Sequence, residues 1–256
     1  MRILIQIKAV VVGTVLLFTT LVPACLVALP FGLERRLKIM SPMWECFGKL
    51  LLRYACQVKV RFSEDHRSPE FSGVPAQGLY IANHQSYMDI PLVMTKYQVP
   101  PIMKKEVLYI PIFGWIAYAS GAMPVARGKM SSRKRVFDQA RKRILVEKIG
   151  LQVYPEGTRS KNALPKTMEE VKRTLLIFAY NEKIPVIPTS IYGTRGVLNR
   201  WGFIRPNRNV GIIVHKEIDP KNFSNVDDFC VACWGKVIEG HDQMKKELQP
   251  LNENLS

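Results

Sequence analysis

Acidic residues are scarce in this chain. Across 256 residues, 21 Asp and Glu stand against 37 Lys and Arg, a net charge of +16 at neutral pH. That surplus predicts attraction to polyanions: nucleic acid, anionic lipid or phosphorylated small molecules. Cysteine is also sparse and odd in number, at five, with Cys25 inside an apolar run. A chain of this length needs no staples, so a disulfide framework is excluded and a reduced, cytosol-facing environment is expected. Cys230 and Cys233 form half a zinc motif, but no second pair follows and His241 is the only neighbouring candidate, so no metal is expected. Internal repeats, low-complexity segments and a Gly-x-Ser-x-Gly nucleophile element are missing as well. With 47% hydrophobic and 23% charged residues, disorder, collagen-like sequence and a bare helical rod are ruled out. The length allows one large domain, or one domain with an appendage.

What is present begins at the N-terminus. From Ala9 to Leu33 no residue is charged, and Ile3, Leu4, Ile5 and Ile7 extend the apolar character upstream. About 20 apolar helical residues cross a bilayer core, so the run is long enough. Pro23 removes a backbone donor and is expected to kink or break a helix there. One kinked spanning helix and two short helices dipping into one leaflet both fit. Arg2 and Lys8 before the run and Arg35, Arg36 and Lys38 after it give no clear positive-inside asymmetry. A cleaved signal peptide is the bland alternative. The expected division is an apolar membrane-anchoring segment over 1–40 and an α/β domain over 41–256.

After a helical stretch from Ser41 to Tyr54, short runs of strand length recur: Val58–Phe62, Gly78–Ala82, Leu151–Tyr154, Pro185–Pro188 and Val210–Val214. The polar run Ser63–Gln77, which holds His66, reads as a loop. Ser131–Lys148, with Ser131 and Ser132 as caps, and Glu169–Asn181 read as helices. Alternating strands and helices predict an α/β fold with a mixed, largely buried sheet flanked by helices. Between Arg127 and Lys148 nine residues are basic and two acidic, whereas the tail from Lys216 has five basic and eight acidic. A basic helix following a membrane-seeking segment points to anionic lipid. Aromatic residues are not interleaved with these charges, so nucleic acid is not expected.

Two loops leaving strands carry the chemistry. Asn83-His84-Gln85-Ser86-Tyr87-Met88-Asp89 places a histidine at a strand end with an aspartate five residues on, a base and its orienter. The alternative is a surface histidine near a helix-capping aspartate. Tyr154-Pro155-Glu156-Gly157-Thr158-Arg159-Ser160 joins a glycine that lets backbone approach a ligand to an arginine fork suited to phosphate oxygens, with Thr158 and Ser160 as hydroxyl donors. Its bland alternative is a turn with an incidental arginine. His66, His215 and His241 read as structural or solvated. Ser190 and Tyr192 could line a cleft.

Asn-His-x-x-x-x-Asp followed by Pro-Glu-Gly-Thr-Arg-Ser resembles the glycerolipid acyltransferases, specifically the 1-acyl-sn-glycerol-3-phosphate acyltransferase family. Lys104-Lys105-Glu106-Val107-Leu108 through Gly114, Gly121 through Arg127, and Ile184-Pro185-Val186-Ile187-Pro188 are similar to three further blocks of that family, in its order, from about Val58 to Ile218. The resemblance implies a membrane-bound transferase with its active site facing the cytoplasm. It would move a fatty acyl group from acyl carrier protein or coenzyme A, as co-substrate, to a lysophospholipid hydroxyl, with no cofactor and no metal. It further implies His84 as general base and Asp89 as its orienter, with Lys105, Arg127 and Arg159 on the acceptor phosphate. Glu156, Gly157 and Thr158 are carried over with the motif, Glu156 without an assigned role, and backbone N–H groups near Gly157 are candidates for the oxyanion.

The sequence departs from the family after Ser160, where Pro-Phe-Lys-Lys-Gly is replaced by Leu164-Pro165-Lys166 and the acid-bearing Thr167–Lys172, and at Ala126, where an aspartate is frequent. An amino-acid-containing or glycolipid acceptor therefore stays open beside 1-acylglycerol 3-phosphate. A lipid hydrolase, and a basic membrane-surface binding protein, are the rivals from other classes.

Overall fold

The computed structural model describes residues 2–64, 77–126, 130–198 and 202–254. In chain order the strands are β1 (Lys59–Glu64), β2 (Leu79–Ala82), β3 (Ile102–Lys104), β4 (Met123–Val125), β5 (Leu151–Val153), β6 (Val186–Tyr192) and β7 (Asn209–Val214). Five of them form one sheet in the order β1-β7-β6-β2-β5, parallel throughout except for the antiparallel β6–β7 pair. β3 and β4 make a small parallel pair, joined to the β5 edge by a parallel bridge from Pro101 to Gln152.

The helices are α1 (Arg2–Leu16), α2 (Val22–Ala28), α3 (Leu33–Leu50), α4 (Asp89–Met94), α5 (Phe113–Ala119), α6 (Met130–Arg141), α7 (Thr174–Asn181), α8 (Thr194–Val197) and α9 (Val226–Glu253). Parallel strands need crossovers, and the crossover helices cover both faces of the sheet. β2 shows the result: all four residues are buried, and the two-residue period splits them between two cores. Tyr80 and Ala82 join Leu92, Val93, Ile187 and Ile212, whereas Leu79 and Ile81 join Ile144, Phe178, Phe229 and Trp234.

The mixed, largely buried sheet expected from the sequence is present. Of the two N-terminal arrangements that the sequence leaves open, a single helical path is present, from Arg2 to Ala28, with a π-turn at Leu17–Leu21 just before Pro23. Such a turn can take up the missing donor and the ring. α3 then folds back along it. Several local expectations are corrected. α6 starts at Met130, so Ser131 and Ser132 lie within its first turn. α7 begins at Thr174 rather than Glu169, because the preceding backbone is committed elsewhere: Lys172 N–H donates to the Pro155 carbonyl at 3.0 Å. The acidic tail is no tail. It is α9, a 28-residue helix with Asn225 as its N-cap, laid against β6 and β7. The greater part of the Ser63–Gln77 loop, His66 included, lies outside the described residues.

The topology has one functional consequence. β2, β5 and β6 run parallel, and β3 and β4 run with β5, so the segments leaving all of them emerge along one edge of the sheet. That carboxyl-terminal edge is where open α/β sheets bind ligands.

Candidate active site

His84 follows β2 by two residues, and the residue between them fixes its position. Asn83, wholly buried, donates from Nδ2 to the Ile191 carbonyl and accepts from the Ile191 N–H on β6, both at 2.8 Å. The chain then turns so that Asp89 opens α4 facing back towards His84. Nδ1 of His84 donates to Asp89 Oδ2 at 2.6 Å. The same oxygen accepts the backbone N–H groups of Gln85 at 2.7 Å and Ser86 at 2.9 Å, and Thr194 donates its hydroxyl proton to Oδ1. A carboxylate with 0% exposure is costly unless it is saturated with donors, and four donors saturate this one.

The imidazole is held from a third side. Its ring stacks on Tyr154 at 4.3 Å between centroids, 26° from parallel. With Nδ1 committed as donor, Nε2 carries the lone pair, and it has no hydrogen-bond partner among the described residues. The His84 side chain is 17% exposed, enough for one face to meet a ligand.

Glu156, in the loop after β5, accepts the His84 backbone N–H through Oε1 at 3.0 Å. Its Oε2 is buried without a partner among the described residues, and burial pushes the carboxyl up to about 7. The His84 carbonyl accepts from Ser160 N–H at 2.7 Å, so the two motif loops are stitched on both sides of the histidine. Gly157 adopts φ +68°, a conformation glycine takes at no steric cost, and Lys172 lies so close that a Cβ there would sit 3.0 Å from Nζ. The Gly157 N–H donates to the Tyr154 carbonyl at 3.0 Å, so that amide is engaged in the turn rather than presented to an oxyanion.

Thr158 and Arg159 are exposed, and the Arg159 guanidinium lies 3.8 Å over the Tyr87 ring. Stacking of this kind holds the fork while leaving its edge for an anion. Lys105 is exposed at the start of a 3₁₀ turn (Lys105–Tyr109) after β3, on the same edge of the sheet but without a contact to the histidine pair among the described residues. Arg127 lies outside the described residues; β4, two residues before it, ends on that edge.

Sequence reading missed several members of this site. Lys166 donates to the Glu156 carbonyl at 3.3 Å, Lys172 packs against Gly157, and Arg195 donates to the Ser160 carbonyl. The segment that departs from the family pattern therefore still brings cations to the loop. The Lys-Lys of that pattern was the signal that could have identified them. Thr194, Gln85 and His241 gave no local signal. His241 is wholly buried, not solvated; His215 is buried too and pairs with Ser190 at 2.8 Å. Ser190 faces α9, donating to the Val237 carbonyl at 2.8 Å, and does not line the cleft. Cys230 and Cys233 are buried in the α9 core, where burial raises both thiols, and among the described residues no three potential ligands gather to hold a metal ion.

Residues 58–192 match the acyltransferase family. A 1-acyl-sn-glycerol-3-phosphate acyltransferase of Haemophilus influenzae is 26% identical over 221 residues, covering 82% of each chain. A chloroplastic 1-acyl-sn-glycerol-3-phosphate acyltransferase of Arabidopsis thaliana is 31% identical over 67% of this chain, which spans 46% of that longer protein. The crystal structure of the 1-acyl-sn-glycerophosphate acyltransferase of Thermotoga maritima shares the fold, with a TM-score of 0.77 over 95% of this chain and 96% of that one at 23% identity. The matched span covers more than half of the sequence, runs from the entry of β1 to the end of β6 and encloses His84, Asp89 and Glu156, so the chain belongs to the acyltransferase family.

Proposed function

We propose that this chain transfers a fatty acyl group from a thioester, on coenzyme A or acyl carrier protein, to the free hydroxyl of 1-acyl-sn-glycerol 3-phosphate, giving phosphatidic acid. The observation that carries the reading is the His84–Asp89 pair at the carboxyl edge of the parallel strands, with Nε2 unengaged and an arginine in the neighbouring loop. His84 Nε2 takes the proton of the acceptor hydroxyl as its oxygen attacks the thioester carbonyl. The carbonyl π bond opens to an oxyanion, which collapses, breaks the carbon–sulfur bond and expels the thiolate. The imidazolium returns its proton to that sulfur. Asp89 keeps its charge throughout, holds the tautomer and stabilises the imidazolium. Arg159, with Lys105 and Arg127, holds the acceptor phosphate; Lys166 and Lys172 add positive charge beside the same loop.

The N-terminal helices support a membrane location. Ile3, Leu4, Ile7, Val10, Val11, Val15, Phe18, Leu26 and Val27 are exposed along one helical path, and Tyr109, Phe113, Trp115 and Tyr118 are exposed on the adjoining α5 region. Near one end of the path Gln6 exchanges two hydrogen bonds with the backbone of Ile204, at 2.6 and 2.8 Å, and at the other α2 packs on α3 and α5. A helix docked on the catalytic body near both ends fits a segment lying in one leaflet, with its apolar face in the lipid and the acyltransferase edge on the cytoplasmic side.

The test incubates membranes carrying wild type or His84→Ala with an acyl thioester and a panel of lysolipids, read by mass spectrometry. His84-dependent phosphatidic acid is expected. Acylation of a different lysolipid alone would overturn the acceptor, and release of free fatty acid alone would overturn the transfer.

A further inference from the structure

The strongest connection outside the reacting pair runs through Gln85, the neighbour of His84. Its backbone N–H is one of the three donors on Asp89 Oδ2. Its side chain, 2% exposed, joins three elements far apart in sequence. Nε2 donates to the Ala163 carbonyl at 2.6 Å and to His241 Nε2 at 3.2 Å, while Oε1 lies 3.3 Å from the Thr194 hydroxyl that serves Asp89. Both amide protons are committed, and both lead away from the motif loop to its supports.

His241 belongs to α9, outside the span matched to the acyltransferase family. It is 0% exposed, and its ring nitrogens are both engaged: Nδ1–H faces Asp242 Oδ1 at 3.2 Å, leaving the Nε2 lone pair to accept from Gln85. Burial lowers its pKa, against the contacts with Asp242 and the Ala163 carbonyl, which raise it. Its depth depends on the residue beside it. A Cβ on Gly240 would lie 2.5 Å from Ser190 Oγ and 2.6 Å from His215 Nε2, so only glycine lets α9 approach β6 this closely.

On the acyltransferase reading above, we infer that His241 is a positioning residue for the His84–Asp89 pair, acting through the Gln85 side chain. Removing the acceptor frees one amide proton of Gln85 and loosens the turn whose N–H groups orient Asp89. The carboxylate then drifts from the geometry that aims Nε2 at the acceptor hydroxyl. Small misplacements of a base are felt in turnover before they are felt in binding.

The test uses the full chain in detergent micelles, with an acyl thioester and 1-acyl-sn-glycerol 3-phosphate. His241→Leu is expected to lower kcat about tenfold while both KM values stay within about twofold. His241→Gln, whose amide reaches the Nε2 position, is expected to keep kcat within about threefold of wild type. In a Gln85→Met background His241→Leu adds no further loss. Wild-type kcat in His241→Leu, equal losses in the Leu and Gln variants, or additive losses with Gln85→Met would each overturn the assignment. If His241→Leu fails to fold, His241→Asn, whose amide stops short of Gln85, takes its place. The His84 Nδ1 proton, followed by NMR with labelled histidine, tests positioning without turnover: it shifts or broadens in His241→Leu and returns in His241→Gln. An unchanged resonance overturns the inference. A wild type that acylates no lysolipid refutes the acyltransferase reading instead and leaves the NMR comparison to decide positioning.

Discussion

Glu156 holds the backbone N–H of His84 through one carboxyl oxygen at 3.0 Å, and its other oxygen is buried without a partner among the described residues. The carboxyl is therefore a strut for the histidine that resists ionisation, at about 7 instead of 4.5, chiefly because burial penalises its charge. A carboxyl raised on folding contributes stability that is fully present below its unfolded pKa and lost as pH rises through the folded value. Wild type is expected to lose on the order of 3 kcal/mol from this group across that window. Glu156→Gln keeps the acceptor for His84 and cannot ionise, so the melting temperature of wild type should fall relative to that of the variant as pH rises from 4.5 to about 7 and run parallel to it above. Parallel pH dependences for the two proteins across that window in thermal melts would reject this account.

Asp89 binds four donors with two oxygens. Asp89→Asn must turn its amide oxygen to the three donors on the Oδ2 side, which keeps the ring oriented but leaves the imidazolium without a counter-charge. Turnover should fall about 10³-fold or more. Steady-state kinetics on folded protein would show the loss in kcat, and a near-normal kcat would remove Asp89 from its role.

Arg159 and Tyr87 form a stacked pair at 3.8 Å. Arg159→Ala should raise KM for the phosphorylated acceptor about tenfold and leave a neutral lysolipid little affected. Tyr87→Leu should give a smaller effect of the same kind, because the fork remains but its platform is lost. Competition assays with the two acceptor classes distinguish this from a general defect.

Two glycines on α9 should respond in opposite directions. Gly240→Ala places a methyl group against Ser190 and His215 and should cost about 1–3 kcal/mol. Gly235→Ala meets nothing within 4 Å and should gain about 0.5–1 kcal/mol from helix propensity alone. Thermal melts of the pair separate close packing from propensity.

The sequence alone determined what short separations can encode. His84 and Asp89 are five residues apart, so a single turn brings them together, and the spacing was readable without the rest of the chain. Four strands of the main sheet were legible as short apolar runs bounded by turn residues, and β1 by the alternation of apolar and charged residues from Val58 to Phe62. The three-residue β3 and β4 were too short to show a period. α9 was hidden by its own composition, because charges on the solvated face diluted the apolar stripe carrying Phe229, Cys233, Trp234, Val237 and Met244. Only the tertiary structure decided the supports of the base. Asn83 reaches Ile191 across 108 residues, Thr194 reaches Asp89 across 105, and Gln85 reaches His241 across 156. Hydrogen bonds of that span leave no local pattern: each needs the sheet order to bring two strand ends, or a helix and a loop, to one edge, and a polar side chain that reads as solvated in the sequence acquires its partner only when the sheet closes over it.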